Sequence, residues 1–179
     1  MPISLWEKIK ERFAYKGWRS MLVRTFRLPD GSVQEYDVVQ NSPYVVVAAF
    51  TKDGDAILIR QFRPGPERIL SSFCEGYVDK GETPEAAAAR ELLEETGYRA
   101  GNVRLLRTLQ TAYSTEERIC LLATDCVYER PPQGDADEFI EVFTMPMDTF
   151  IPWACTDESA FYCLDALLLA LQAEPTLKP

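Results

Sequence analysis

The sequence predicts an α/β domain, and three observations carry that expectation. Apolar, β-branched runs recur on both sides of one central helical segment. That helical segment, close to residues 84–96, carries its own start and stop signals. The chain then closes on an amphipathic helical stretch, Glu158–Ala173. A chain of 179 residues with 46% apolar composition is long enough for one domain with a full core, and disorder is not its default.

Taken in order, Ile3–Tyr15 is charged and amphipathic and reads as a short helix. Trp18–Leu28 and Val33–Val39 read as two strands joined at Pro29-Asp30-Gly31, a strong turn. Residues 1–40 are therefore expected to form an extension of one helix and two strands ahead of a main domain, 41–179. Tyr44–Phe50 is dense in β-branched residues and suits a strand buried on both faces. Lys52-Asp53-Gly54-Asp55 makes a hairpin turn into Ala56–Phe62. Phe73–Val78 leads to the central helix, after which Val103–Thr111 and Arg118–Tyr128 read as strands. Pro131–Asp137 is a polar loop, Phe139–Met145 a strand, and Glu158–Ala173 the closing helix.

The central segment, GYVDKGETPEAAAARELLEETGY from Gly76 to Tyr98, is the most informative part of the chain. Thr83 is a good N-cap, Pro84 suits the first helical position, and Gly97 suits the residue just past the C-terminus. Glu91, Glu94 and Glu95 stand at i, i+3 and i+4, so they share a face, with Ala86, Ala89, Leu92 and Leu93 expected on the other. Carboxylates this close repel, and a hard, oxygen-seeking divalent cation turns the repulsion into binding. An acidic helix face alone is commonly just solvated surface. The whole pattern, Gly-x5-Glu-x7-Arg-Glu-Leu-x-Glu-Glu-x-Gly, arises by chance in roughly one such chain per million or fewer.

Composition removes other chemistries. The chain has no histidine, which excludes Ser-His-Asp and Cys-His catalysis and His-liganded zinc. Its net charge of −9, without a basic run, gives no footprint for nucleic acid. No apolar run approaches the roughly 20 residues that span a membrane. Five cysteines, Cys74, Cys120, Cys126, Cys155 and Cys163, lack any Cys-x-x-Cys spacing, and Met1–Phe13 lacks the apolar core of a signal peptide. A reduced, cytoplasmic protein is the expectation.

The Gly76–Tyr98 segment resembles the Nudix box without a gap, and the chain is identified as similar to the Nudix hydrolases. That resemblance implies an α/β/α sandwich with a mixed β-sheet between helices, and cleavage of nucleoside diphosphates linked to another group. It implies Mg2+ or Mn2+ bound by Glu91, Glu94 and Glu95, with Arg90 orienting these glutamates. Glu82 is implied as an outer ligand or a structural partner. Glu75, before the box glycine, is implied as a backbone carbonyl ligand whose side chain adds a further oxygen. Tyr98 replaces an aliphatic residue at the end of the box. The isomerase branch of the fold needs a histidine at its metal site, which this chain lacks.

Outside the box, LIRQFRPG at Leu58–Gly65 resembles a strand of the ADP-ribose and nucleoside-diphosphate-sugar pyrophosphatases. Arg60 and Arg63 are its arginines, and Arg63 matches one that meets substrate phosphate, work a guanidinium does well because it can bind in bidentate fashion. Tyr113-Ser114-Thr115-Glu116 resembles the segment whose glutamate, here Glu116, faces the distal sugar; Thr111 and Ala112 stand where that branch has Pro-Gly. Glu138 matches a metal-facing, catalytic glutamate, with Asp135, Asp137 and Glu141 as further acids in or near the same loop. Glu94, Glu95, Glu138 and Arg90 are thus the candidate catalytic set. The N-terminal extension resembles one that pairs two subunits, so a homodimer is expected. The substrate implied is ADP-ribose or a related nucleoside diphosphate sugar, with no nucleic acid and no membrane partner. A dinucleoside-polyphosphate or nucleoside-triphosphate hydrolase and a non-catalytic nucleotide-sugar-binding module are the alternatives.

Overall fold

The structure is a computed structural model that describes residues 3–133 and 139–177. The chain divides into two units, Met1–Pro43 with Gln110–Glu117, and Tyr44–Leu109 with Arg118–Pro179.

The first unit is built on an antiparallel sheet, ordered β1 (Glu7–Tyr15), β2 (Ser20–Arg27), β3 (Val33–Gln40). The turn between β2 and β3 forms at Pro29-Asp30-Gly31 as expected. Gly31 sits at φ 84°, and the Asp30 carboxylate accepts the Ser32 N–H at 2.9 Å. The expected helix at Ile3–Tyr15 is instead largely strand, β1. Its charges find partners across the sheet: Glu7 with Arg27 at 3.1 Å, Glu11 with Arg24 at 2.6 Å, Arg12 with Glu35 at 3.3 Å. Just ahead of it, Trp6 meets Phe26 and Tyr36 with ring centroids 6.2 and 5.6 Å away. Cross-strand pairing of this kind overrides a weak helical preference. Within the same unit, Val39 and the Tyr113–Thr115 segment exchange backbone hydrogen bonds at 2.9 Å, and Asn41 donates to the Glu116 carboxylate at 2.7 Å.

The second unit holds the remaining strands, save Gln110 and Glu117 at two strand ends: β4 (Tyr44–Thr51), β5 (Ala56–Arg63), β6 (Arg68–Ser72), β7 (Cys74–Tyr77), β8 (Tyr98–Arg99), β9 (Asn102–Gln110), β10 (Glu117–Tyr128) and β11 (Ile140–Met145). The path through its sheet is β11-β5-β4-β10-β8, with β6 on β5, β7 on β4 and β9 on β10. The sheet is mixed, because β4 and β10 run parallel while β4 pairs antiparallel with β5 and β7. Helix α1 (Pro84–Thr96) covers one face; α2 (Met147–Ala154) and α3 (Leu164–Ala173) cover the other.

Strand β4 shows why two faces are covered. Val45, Val47 and Ala49 pack with Ala87, Ala88 and Leu92 of α1, whereas Val46, Ala48 and Phe50 pack towards α2 and α3. The side-chain period of two sends alternate residues to opposite faces, so an unbroken apolar run is what a doubly covered strand requires. Phe73, Phe150 and Phe161 form an edge-to-face triad in the α2/α3 layer. The sandwich expected from the sequence is the architecture found.

Three details differ. Helix α2 was not expected; Pro146 caps its start and Pro152 lies within it, and both residues read as breakers in sequence. The closing helix begins at Leu164 rather than Glu158, because Ala160 takes φ 46° and the Ser159 hydroxyl bonds locally to Thr156 O and Phe161 N–H. Strand β6 lies where the sequence predicts no element, because its Arg68 and exposed Ile69 show no alternation.

The caps of α1 are as expected. Thr83 Oγ1 accepts the Ala86 N–H at 3.2 Å, and Gly97 at φ 77° donates its N–H to Leu93 O. A Cβ on Gly97 would also lie 2.0 Å from Arg130 O. Gly97→Ala is therefore expected to cost at least about 1–3 kcal/mol, from left-handed strain plus a backbone clash. Chemical denaturation with an unchanged m-value checks this. Cys74, Cys120, Cys126 and Cys163 are buried free thiols and Cys155 an exposed one. Among the described residues, no helix is long and apolar enough to cross a membrane.

Candidate active site

The site grows from the junction of β7 with α1. After β7 the chain turns through Asp79–Thr83, where Gly81 takes φ 89° and Glu82 N–H bonds Asp79 O at 3.0 Å. The Glu82 carboxylate returns to accept the Asp79 N–H at 3.2 Å. Arg90, on the second turn of α1, is the hub. Its Nε and Nη2 grip Glu82 in bidentate fashion at 3.1 and 3.0 Å. Nη1 reaches Glu91 at 2.8 Å and Glu94 at 3.1 Å, and Nη2 also donates to Tyr77 O at 3.1 Å. Four acceptors around one guanidinium explain the charge states: Glu82 and its neighbours raise the Arg90 pKa, and Arg90 lowers that of Glu82. A carboxylate held low in this way supports the loop above the ordinary glutamate range. That support is lost as pH falls through its depressed pKa.

Two carboxylates rest against β7. A Cβ at Gly76 would stand 1.9 Å from Glu91 Cδ, so the Glu91 carboxylate occupies the space that glycine leaves. Glu95 accepts the Glu75 N–H at 3.3 Å and is only 5% exposed. The buried stripe of α1 is Ala87, Ala88, Leu92, Glu95 and Thr96. This corrects the expected split of the helix: Ala86 is exposed, Ala89 and Leu93 are half-buried, and Glu95 lies inside. The backbone donor on β7 helps to make an inward Glu95 tolerable. Beside it, the Cys74 thiol is pushed well above its ordinary pKa by burial and by Glu95.

The Glu75 side chain has a different environment. In register Glu75 pairs with Val46, whose side chain packs in the α2/α3 layer. Its carboxylate accepts from Arg63 Nη2 at 3.1 Å, from Arg118 Nη1 at 3.0 Å and from the Tyr162 hydroxyl. Arg118 in turn holds Asp165 through Nε at 2.8 Å and Nη2 at 3.2 Å, and donates to the Tyr44 hydroxyl at 2.8 Å. Arg63 Nη2 also donates to Tyr162 at 2.8 Å. Burial and the neighbouring Glu75 raise the Tyr162 pKa.

The structure thus gathers Arg90, Glu82, Glu91 and Glu94 into one cluster, sets Glu95 beside it under β7, and joins Arg63 to Glu75. Arg60 is not with Arg63. It pairs with Glu141, its register partner on β11, at 3.5 Å and lies over the Phe143 ring at 4.4 Å. Glu116 belongs to the first unit, bonded to Asn41. Glu138, with Asp135 and Asp137, lies outside the described residues. Sequence reasoning missed Arg118, Tyr162, Tyr44 and Asp165. Their only signal is Arg118 at the mouth of the apolar run Ile119–Ala123, and their partners are 43 to 99 residues away in sequence.

The donor set has the chemistry for a hard divalent cation: Glu91, Glu94 and Glu95 offer carboxylate oxygens and no soft ligand. The Gly76 backbone lies against the Glu91 carboxylate, and Arg90 already gathers Glu91 and Glu94 together with Glu82. Among the described residues, no three acidic or thiol side chains converge on one point.

Fold and site together define a class: an α/β/α hydrolase with an arginine-organised acidic helix. The NUDIX domain model matches residues 41–164, and the chain belongs to that family. It is 34% identical over 131 residues to an ADP-ribose pyrophosphatase of Bacillus subtilis (strain 168), covering 72% of this chain and 71% of that protein. It is 28% identical over 155 residues to a GDP-mannose pyrophosphatase of Yersinia enterocolitica, covering 78% and 81%. A crystal structure of an ADP compounds hydrolase superposes with TM-score 0.84 over 97% of this chain and 96% of that one, at 22% identity, which speaks for the fold.

Proposed function

We propose that the chain hydrolyses the diphosphate linkage of a nucleoside diphosphate sugar, ADP-ribose or a close relative, to a nucleoside monophosphate and a sugar phosphate. The chain is a Nudix pyrophosphohydrolase. The observation that carries the reading is the cluster of Glu82, Glu91 and Glu94 around Arg90. Glu91, Glu94, Glu95 and Glu138 are assigned to hold Mg2+ or Mn2+, with Glu82 holding Arg90 and the box loop. When bound, the cation neutralises the diphosphate charge and lowers the pKa of the attacking water.

The chain's own residues do the rest. Arg90 holds the Glu91 and Glu94 carboxylates in place. Arg63 is assigned to a substrate phosphate; both its contacts to Glu75 and Tyr162 use Nη2, so Nε and Nη1 serve the phosphate. Glu138, or an acid beside it, takes the proton of the water as its oxygen bonds to phosphorus and the bridging oxygen leaves on the other phosphate. Glu138→Gln is expected to cut turnover about 10²–10⁴-fold, the range of a positioned proton acceptor. Glu141→Gln is expected to turn over normally, since Glu141 faces Arg60 and its side chain is 64% exposed. Parallel turnover measurements decide between them.

The substrate class is tested by initial rates on ADP-ribose, GDP-mannose, UDP-sugars, dinucleoside polyphosphates and nucleoside triphosphates with magnesium. Preference for the linked diphosphates supports the reading; preference for triphosphates or polyphosphates overturns it. For assembly we propose a two-fold dimer formed through the first unit, whose Ile9, Phe13, Tyr15 and Trp18 are exposed. Light scattering at micromolar concentration is expected to give twice the chain mass. A fully active monomer contradicts the dimer.

A further inference from the structure

Three consecutive residues of β7 each touch a different box side chain. Glu75 N–H bonds Glu95, Gly76 lies against the Glu91 carboxylate, and Tyr77 O accepts from Arg90. Strand β7 is therefore the template on which the acidic face of α1 is set. This short strand is held by its pairing with β4 and also by the Glu75 side chain, on the other face of the sheet. There Arg63, Arg118 and Tyr162 converge on one carboxylate that is 11% exposed, and Arg118 ties it onward to Asp165 at the start of α3. Cys163 Sγ approaches the same carboxylate at 3.6 Å.

A half-buried ion cluster adds little to stability alone, because solvent screens it and ordering its long side chains costs entropy. Its merit is a fixed geometry. We propose that Glu75 is a positioning residue, anchored by Arg63, Arg118 and Tyr162, that sets the cation affinity of Glu91 and Glu95 through its own backbone. This role differs from supplying a side-chain oxygen to the metal, since the carboxylate is engaged in the α2/α3 layer. It rests on the metal-dependent reading above. It also joins Arg63, the residue assigned to substrate phosphate, to the metal helix through a single side chain.

Mn2+ binding to the intact protein without substrate, read from the electron paramagnetic resonance of free Mn2+, tests the proposal. Glu75→Gln is expected to weaken Mn2+ affinity about 10–100-fold, the effect of removing an outer partner of a metal site. Tyr162→Phe, which deletes one anchoring hydroxyl, is expected to weaken it less but measurably, and it decides the matter if Glu75→Gln does not fold. In a Glu95→Gln background the Glu75→Gln penalty is expected to shrink, because the two residues act through one hydrogen bond. A purely structural role moves melting without moving Mn2+ affinity. Folded variants that bind Mn2+ like the wild type overturn the positioning role and leave the metal reading intact. A wild-type protein that binds no Mn2+ overturns both.

Discussion

Glu94→Gln and Glu95→Gln each lower turnover by about 10²–10⁴-fold, and the two differ in what else they change. Both remove a charge at nearly constant volume. The Glu94 side chain is 40% exposed and meets Arg90 across one helical turn, so its loss is expected to shift stability by less than about 0.5 kcal/mol. Glu95 is buried and accepts a strand N–H. A glutamine there keeps an acceptor but brings an amide that needs its own partners, so a stability loss of about 1–3 kcal/mol accompanies the lost activity. Turnover and denaturant melts on both variants check this pair of outcomes. Wild-type rates with magnesium in both would remove the acidic helix from the mechanism.

Gly76→Ala carries the second large effect, and it separates site from fold. The added Cβ would fall 1.9 Å from Glu91 Cδ and 2.2 Å from Oε1. These atoms are the far end of a flexible side chain, so Glu91 swings away and the backbone keeps its place. The helix survives, and Glu91 loses its position beside Arg90 and β7. Displacement of about an ångström at a catalytic constellation costs on the order of 10²-fold in rate. The expected result is a near-normal melting temperature with turnover down by about that factor or more. An active Gly76→Ala would show that the packing of Glu91 against β7 has no catalytic role.

How much of this was legible in the sequence depends on the distance over which each feature is decided. The caps of α1 are local, and Thr83, Pro84 and Gly97 stand where the sequence places them. The doubly covered strand β4 is likewise local, an apolar run with one physical interpretation. The Arg90 cluster was read from spacing and resemblance, and residues four apart on a helix do meet. The first strand was misread because Glu7, Glu11 and Arg12 find partners 13 to 23 residues away, which no local period reveals. The inward turn of Glu95 is met by a backbone donor on β7, which no local pattern in α1 reveals. The Glu75 cluster assembles side chains from β4, β5, β7, β10 and the start of α3, and only the sheet brings them together.

Phosphorus-31 NMR of ADP-ribose with the wild-type protein and magnesium reads metal-dependent cleavage between the two phosphorus atoms directly. The diphosphate resonances are expected to give way to two phosphomonoester resonances in equal amounts, those of AMP and ribose 5-phosphate. EDTA is expected to stop the conversion and excess Mg2+ to restore it. Conversion that continues unchanged in EDTA, or an intact diphosphate after prolonged incubation with metal for ADP-ribose and the other nucleoside diphosphate sugars alike, would contradict it.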